Sequence, residues 1–409
     1  MELRPILSTL RRHKTTAWLL ILEIALTCAI VCNAVFMINH RLQHMQMPTG
    51  IDEHGLVQIQ VAEVAPLPDI YARAREDLAV IRQVPGVRAV TLTSQLPLGF
   101  SSSNANIMLD PTQRTPSLNA GTYFGLDLVR TMGLRLVAGR DLRPDEVLDA
   151  DVVLKLVAAG QTDTFAPVTV ITQAMAQRLW PGGDALGKML YLGPIGVRVV
   201  GVVAELARAN AYDDATAQYS MILPMFMGAG KDQSYLIRIR PQDRQTVLKA
   251  AVAALKKADP RRVVTTQRTY DEVREKFFEN DRSMAGILVG AIAALLVVTA
   301  LGIVGLASFW VAQRRRTIGV RRALGATRRN ILNYFLTENF LLATLGIVLG
   351  MVLAYGINLF LMLHYELPRL PAVYFPVGAI ALWLIGQLAV LGPALRAAAV
   401  PPVVATRSV

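Results

Sequence analysis

The stretch MAGILVGAIAALLVVTALGIVGLASFWVA runs from Met284 to Ala312 without a charged residue. A helix needs about 20 predominantly apolar residues to cross the core of a bilayer, so this stretch is long enough to span it. Three other stretches are long and apolar enough as well: Ala17–Ile38, Ile331–Leu363 and Phe375–Leu395. The sequence therefore predicts an α-helical membrane protein with four transmembrane helices.

A long polar segment, residues 39–282, separates the first two of these stretches. It holds 28 Lys and Arg against 26 Asp and Glu, so most of the formal net charge of +12 lies elsewhere. Seven arginines lie between the second and third spans, whereas the loop between the third and fourth holds only Arg369. Short basic loops stay in the cytoplasm. We therefore expect both termini and the arginine loop inside, the polar segment outside, and no nucleic-acid partner.

The predicted boundaries follow from these flanks. They are a cytoplasmic arm at 1–16, the first span at 17–38, the outer domain at 39–282, the second span at 283–312, a cytoplasmic loop at 313–330, the third span at 331–363, an outer loop at 364–374, the fourth span at 375–395 and a tail at 396–409.

The outer domain shows the same local pattern twice, a strand, a helix and a strand. The first copy begins with the alternating strand Leu56–Ala62, and the second contains the predicted helix Gln242–Ala258. We interpret residues 39–97 and 233–268 as two halves of one α+β subdomain, although two such units can resemble each other by chance. Residues 98–232 are then an inserted mixed α+β subdomain.

Within the insertion, Asn119–Met132 is predicted as a helix, Ser101–Asn106 as a loop, and residues 188–203 as a β-hairpin. Residues 269–282 are predicted as a stalk helix that continues into the second span without a break, since no helix breaker separates them.

Two sequence motifs are interpreted as structural rather than functional. Gly182 to Lys188 has the G-x-x-x-x-G-K spacing of a phosphate loop, but it follows a predicted helix rather than a strand, and Met189 replaces the Ser or Thr that binds magnesium. Cys28 and Cys32 lie inside the first span, where packing is the ordinary role of a thiol. The histidines show no ligand spacing. The chain is therefore expected to have no catalytic site, no metal and no cofactor of its own.

The spans contain other candidates. Gly286, Gly290, Gly346 and Gly350 form two G-x-x-x-G pairs, which let helices approach closely, either within the chain or between two copies. Glu23 is an intramembrane carboxylate and hence a functional candidate. Its alternative role is structural pairing with Arg12 or Lys14.

The arginine loop also carries apolar residues, which a simple topology signal would not need. This pattern favours docking of a cytoplasmic partner over the alternative of a solvated basic loop. The candidate coupling residues are Arg316, Thr317, Ile318, Gly319, Arg321, Arg322, Leu324 and Gly325.

The segment from Arg316 to Arg329 resembles the signature of MacB/FtsX-type ABC transporter permeases. Three blocks of the outer domain resemble the MacB periplasmic core domain in the same order: Gly133–Asp141, Val170–Gly182 and Val199–Val203. The resemblance covers nearly the whole chain.

The resemblance implies a non-catalytic permease in the bacterial inner membrane. It implies a dimer, with a second copy or a paralogous permease, and a separate ABC ATPase that binds ATP and Mg. The ATPase motion would pass through the second span to a periplasmic domain that handles substrate. A periplasmic adaptor and an outer-membrane duct are implied by the MacB relatives.

Two departures from the family pattern stand out. Thr317 occupies a position where the family usually has Glu, and residues 147–166 are extra relative to the compact pattern. Two alternatives stay open, a lipoprotein-extracting permease of the Lol kind and a signal transmitter of the FtsX kind. FtsX outer domains are smaller than the one here, which weakens the second alternative.

Overall fold

The computed structural model of the chain describes residues 14–63, 69–99, 101–161, 167–211, 216–226, 232–365 and 369–399. Its helices are α1 Lys14–Met45, α2 Ile70–Arg82, α3 Leu128–Met132, α4 Ala150–Ala158, α5 Gln173–Leu179, α6 Arg244–Ala258, α7 Tyr270–Phe277, α8 Glu279–Gln313, α9 Arg315–Ala323, α10 Arg328–Tyr365 and α11 Tyr374–Ala398.

The strands are β1 Leu56–Ala62, β2 Ala89–Leu92, β3 Asn104–Ile107, β4 Leu118–Phe124, β5 Leu136–Gly139, β6 Leu148–Asp149, β7 Val168–Thr172, β8 Met189–Leu192, β9 Ile195–Val203, β10 Ser220–Leu223, β11 Met225–Phe226, β12 Asp232–Arg238 and β13 Val263–Thr269. The chain divides into a helical unit, Met1–Met45 with Asn280–Val409, and an outer unit, Gln46–Glu279.

The helical unit is built on α1, α8, α10 and α11. In the described part of the chain these four helices are long and apolar enough to cross a membrane, as the sequence predicted. Helix α1 lies at the centre, with Ile24 and Cys28 buried in a core that includes Leu342 and Ile347 of α10. Cys28 and Cys32 are both buried there, in agreement with a packing role.

The first sheet of the outer unit has the strand order β13-β1-β12-β2 in the part that the structure describes, and its neighbours are antiparallel. The two β-α-β segments thus share one sheet. Helices α2 and α6 cover one face, where Ile81 and Leu248 are buried with Ile59 of β1. The opposite face carries Leu56 and Leu236, which belong to the core of the second sheet.

A buried polar cluster joins the two β-α-β segments. Asp77 of α2 forms an ion pair with Arg262, and both side chains are almost fully buried. The hydroxyl of Tyr235 donates a hydrogen bond of 2.7 Å to the same carboxylate. Because these residues come from distant parts of the sequence, the cluster fixes how the two segments pair.

The second sheet has the order β3-β4-β10-β7-β9-β5, and β8 pairs with β9 as the predicted hairpin. The predicted helix Asn119–Met132 is wrong, because residues 119–124 belong to β4 and only its end forms α3. Tyr123 explains the difference. It is fully buried in the sheet and donates a hydrogen bond of 2.6 Å to the carbonyl of Ala207, and aromatic residues fit a half-buried strand better than a short helix.

Two other predictions need correction. Part of the predicted loop Ser101–Asn106 forms β3, an edge strand that pairs with β4. The stalk and the second span are not one helix, because Phe278 leaves the helical conformation between α7 and α8, with φ −92° and ψ 9°. Phe277 and Phe278 are both buried, with edge-to-face rings 4.9 Å apart. The break in the helix thus coincides with two consecutive buried rings.

Candidate functional site

Helix α9 lies between the second and third spans and has defined ends. Arg314 breaks the helix before it, and Gly325 ends it with a φ of +97° that favours glycine. The amide of Ala326 bonds to the carbonyl of Arg321 at 3.0 Å, and that of Gly325 to the carbonyl of Arg322 at 3.2 Å. These two bonds form a Schellman motif, which satisfies the last carbonyls of the helix. The arginine loop is therefore a short capped helix.

One side of α9 packs into the helical unit. Ile318 is 5% exposed and belongs to the core of that unit, and Gly319 beside it is also buried. Arg322 donates a hydrogen bond of 2.7 Å to the carbonyl of Ala398, at the end of α11. A cation at a helix C-terminus is favourable because carbonyls there lack partners within the helix. These three residues fix α9 to the chain itself.

Two further arginines are also occupied within the chain. Arg314 pairs with Glu338 of α10 at 2.9 Å, and the Glu338 side chain is only 2% exposed. The Arg314 guanidinium also lies over the Trp310 ring, 5.6 Å from its centre. Arg321 lies 5.0 Å from the ring centre of Tyr334. The arginines of this segment thus take part in packing within the chain.

The other side of α9 is open to solvent. Leu324 is 83% exposed and Val320 is 45% exposed. Arg316 and Thr317 are exposed beside them. We call these four residues the coupling face. Their spacing of three and four residues places them on one side of a helix.

The structure divides the predicted coupling residues into two groups. Arg316, Thr317 and Leu324 lie on the open side. Ile318 and Gly319 do not, so Ile318 presents no surface to a partner without unpacking the core. Val320 belongs to the coupling face although the predicted set omitted it. Helical periodicity would have selected it. Val320 lies four residues before Leu324 and so shares its face, and it lies two residues after Ile318 and so points away from that residue.

The intramembrane carboxylate Glu23 lies where α1 packs against α8. A Cβ atom on Gly302 of α8 would meet the carboxylate of Glu23, so this glycine makes room for the Glu23 side chain. The hydroxyls of Thr27 and Thr299 share a hydrogen bond of 2.8 Å in the same helix pair. Among the described residues, no ion pair joins Glu23 to Lys14, and Arg12 lies outside them. Glu23 therefore belongs to the contact between α1 and α8.

The declined phosphate-loop segment is a turn between α5 and β8. Gly182 and Gly187 have φ of +70° and +76°, and the ammonium of Lys188 lies 5.3 Å from the ring centre of Trp180. In the described part of the chain, no group of three or more His, Cys, Asp or Glu side chains is placed to hold a metal ion.

Comparison with known families agrees with this architecture. The sequence model of the MacB-like periplasmic core domain matches residues 19–258, and that of the FtsX-like permease C-terminal domain matches residues 289–402. The chain is 23% identical to the uncharacterized ABC transporter permease YvrN of Bacillus subtilis, over 90% of this chain and 86% of that one.

The chain is also similar to macrolide export ATP-binding/permease proteins MacB. The identity is 31% with that of Bradyrhizobium diazoefficiens, over 54% of this chain and 34% of that one. This match spans about a third of the relative's length. Among solved structures, the periplasmic region of MacB from Actinobacillus actinomycetemcomitans is 17% identical, with a TM-score of 0.35, over 57% of this chain and 97% of that one.

Proposed function

The chain belongs to the MacB-like, FtsX-like family of ABC transporter permeases, and we propose that it is the membrane subunit of an ATP-driven exporter of the mechanotransmission kind. Membership in this family implies a partner ATPase and an inner-membrane location with a periplasmic domain. In our proposal the ATPase docks on the coupling face. Its motion then passes along the second span to the outer unit, which handles the substrate.

The observation that carries the proposal is the exposure of Leu324. A leucine that is 83% exposed at the end of a capped helix gains nothing from its position in the isolated chain. Burying it against a partner would contribute about 1.5–3 kcal/mol. The exposed guanidinium of Arg316 would add attraction to an acidic partner surface, which chiefly affects association rate and orientation.

The covalent path supports transmission from this face. Helix α9 follows directly on α8, and Arg314 at their junction is fixed to α10 through Glu338. At its other end α8 follows α7, which is anchored in the outer unit by buried Tyr270 and Val273. A displacement of α9 would therefore act on α8 without an intervening loop.

The test is co-purification of the Leu324→Asp variant with the cognate ATPase. We expect the complex to weaken about tenfold or more, since about 1.4 kcal/mol corresponds to tenfold in affinity. Stimulation of ATP hydrolysis by the permease should fall in parallel. Asn330→Asp is the matched control, because Asn330 is exposed near the start of α10 and lies off the coupling face.

Two outcomes would count against the proposal. Full retention of the complex by Leu324→Asp would remove the coupling face as the docking site. Equal loss in Leu324→Asp and Asn330→Asp would point to a general effect of negative charge. Melting temperatures of both variants must match the parent protein for either result to count.

We also propose that the coupling face lies in the cytoplasm and the outer unit in the periplasm. The basic flanks support this orientation. A Ser101→Cys variant should react with an impermeant maleimide from outside intact spheroplasts, and an Ala326→Cys variant only after lysis. Cys28 and Cys32 are buried, which keeps the background low. Labelling of both engineered cysteines from outside would contradict the proposed topology.

Export with a periplasmic adaptor is the finer part of the proposal. Its support is the similarity to proteins named for macrolide export, although the substrate of this chain is left unassigned. Crosslinking of the outer unit to a co-expressed adaptor would test it. Recovery of a cell-wall hydrolase in place of an adaptor would favour the signalling alternative.

A further inference from the structure

The extra segment 147–166 has a defined structure over most of its length. It contains β6 and α4, and β6 pairs with β11, placing Leu148 opposite Met225. Two contacts from α2 hold the start of α4. The Arg75 guanidinium lies 3.2 Å from the Asp149 carboxylate. The hydroxyl of Tyr71 accepts a hydrogen bond of 3.2 Å from the backbone amide of Asp151. The segment is thus fixed at its base to the first subdomain of the outer unit.

A cavity of about 240 Å³ lies between α4 and the second sheet. Helix α4 contributes Ala150, Val153 and Leu154 to its wall, and the strands contribute Val197 and Leu223 among others. None of the described lining residues carries a charge. The cavity therefore suits an uncharged, apolar occupant.

Backbone polar groups of the wall residues Ser103 and Thr122 already have partners. The Gln95 side chain donates hydrogen bonds to the carbonyls of Thr122 and Ser103, at 3.1 and 3.3 Å. It also accepts a hydrogen bond of 2.6 Å from the backbone amide of Ser103. The amide of Thr122 bonds to the carbonyl of Ser103 at 2.8 Å. A buried water needs two to four polar partners, so these groups offer little to bind water.

Helix α4 also has apolar residues on its outer surface. Leu154 lines the cavity and is 66% exposed, and Val152 is 48% exposed. Leu154 therefore lies where the cavity meets solvent, and a lipophilic molecule would meet apolar side chains before it enters.

We propose that this cavity is a binding site for a small, uncharged lipophilic molecule, of the aromatic or hydrocarbon class. An engineered dry cavity of roughly 150 Å³ binds benzene, so the larger volume here can hold a fused two-ring compound. The site goes beyond the proposed coupling mechanism. Binding needs neither ATP nor the ATPase, so it can succeed or fail independently of the coupling face.

The test uses the full chain in lipid nanodiscs, without nucleotide, and a trifluoromethyl-phenyldiazirine probe. Light converts this diazirine to a carbene with loss of N₂, and the carbene inserts into nearby C–H bonds. Mass spectrometry should find adducts in peptides of β3 and α4, besides those of the membrane spans. Excess naphthalene should remove the adducts in β3 and α4, because both compounds compete for one cavity.

Filling the cavity provides the decisive variant. Ala105 of β3 lines it, so Ala105→Trp should reduce the α4 adducts about tenfold, which corresponds to about 1.4 kcal/mol in binding. Ala158→Trp is the matched control, because Ala158 is exposed on the same helix α4 and does not line the cavity. If Ala105→Trp lowers the melting temperature, Val153→Phe is used in its place, because it fills the cavity from the helix side.

The outcomes separate clearly. Labelling of the spans without labelling of β3 and α4 would overturn the proposal. So would adducts that resist naphthalene, or equal adduct yields in the cavity-filling variants and in Ala158→Trp. Loss of ATPase binding in the Leu324→Asp variant has no effect on this measurement.

Discussion

The second and third spans carry the same glycine spacing in opposite environments. On α10, a Cβ atom at Gly350 would lie 2.5 Å from Cβ of Cys28 and 2.6 Å from the carbonyl oxygen of Ala25. On α8, Gly286 and Gly290 have no atom of another described residue within 4 Å of such a Cβ. One motif is therefore a helix contact within the chain, and the other is open surface.

The difference extends beyond the glycine pair. Only 11% of the most apolar part of α8 is buried in the chain, against 33% for α10. Most of its buried residues lie in its second half, from Thr299 to Val311. The second span is thus held near the coupling face and uncovered elsewhere. A helix held in this way suits both contact with a second copy and transmission of motion.

The ion pair at the end of α8 gives the largest expected effect. Arg314→Met removes one guanidinium partner of a carboxylate that is almost fully buried, and breaking a buried ion pair costs up to about 3–5 kcal/mol. Thermal unfolding in detergent should show a large loss of melting temperature. Arg315→Met is the control, since Arg315 is exposed. Equal melting temperatures for the two variants would mean that Arg314 does not hold α8.

The two apolar residues of α9 should behave in opposite ways. Ile318→Ala removes a core side chain and should cost about 2–5 kcal/mol of stability. Leu324→Ala should change stability by no more than about 0.5 kcal/mol, as exposed positions usually do. Binding of the ATPase should show the reverse order. If Leu324→Ala lowers the melting temperature as much as Ile318→Ala, the two sides of α9 are not distinct.

The glycine pairs are tested by the same substitution in both spans. Gly350→Leu overpacks a close helix contact, which typically costs about 1–3 kcal/mol. Gly290→Leu should leave the melting temperature unchanged, because its surroundings are open. If a second copy covers α8, Gly290→Leu should also reduce chemical crosslinking between the two copies. Destabilisation by both substitutions to the same degree would contradict the comparison.

Composition was enough to predict the spans and the class of fold. Four long apolar stretches predicted the four candidate spans, and the alternating pattern of Leu56–Ala62 predicted β1 with its observed bounds. Local propensity failed at residues 119–124, where the neighbouring strands determine the structure. It also failed at Phe278, because burial of two adjacent rings depends on the tertiary contacts.

The geometry of the candidate site was predicted only in part, for a related reason. The sequence identified the arginine loop, but not which side of it faces the chain. Ile318 and Leu324 are chemically similar, and only the packing of α9 against the helical unit makes them different. In the same way, identical glycine spacing cannot reveal that Gly350 is covered and Gly290 is open. Spacing identifies a helix face, whereas packing decides what that face contacts.

The smallest expected effect is that of acid on the stability of the outer unit. Asp259 accepts hydrogen bonds from the side chain and amide of Arg261 and pairs with Arg73, so its pKa is lowered from its ordinary value of 3.8. A lowered folded pKa means that the carboxylate stabilises the fold above 3.8 and that this contribution is lost as the pH falls toward the lower folded value. The outer unit should therefore lose a small part of its stability in that range.

Asp259→Asn should remove this part of the acid dependence, and Asp145→Asn, at an exposed position, should not. Thermal melts followed by circular dichroism, from neutral pH to below 3.8, would measure both. An acid dependence unchanged in Asp259→Asn would place the sensitive carboxylate elsewhere.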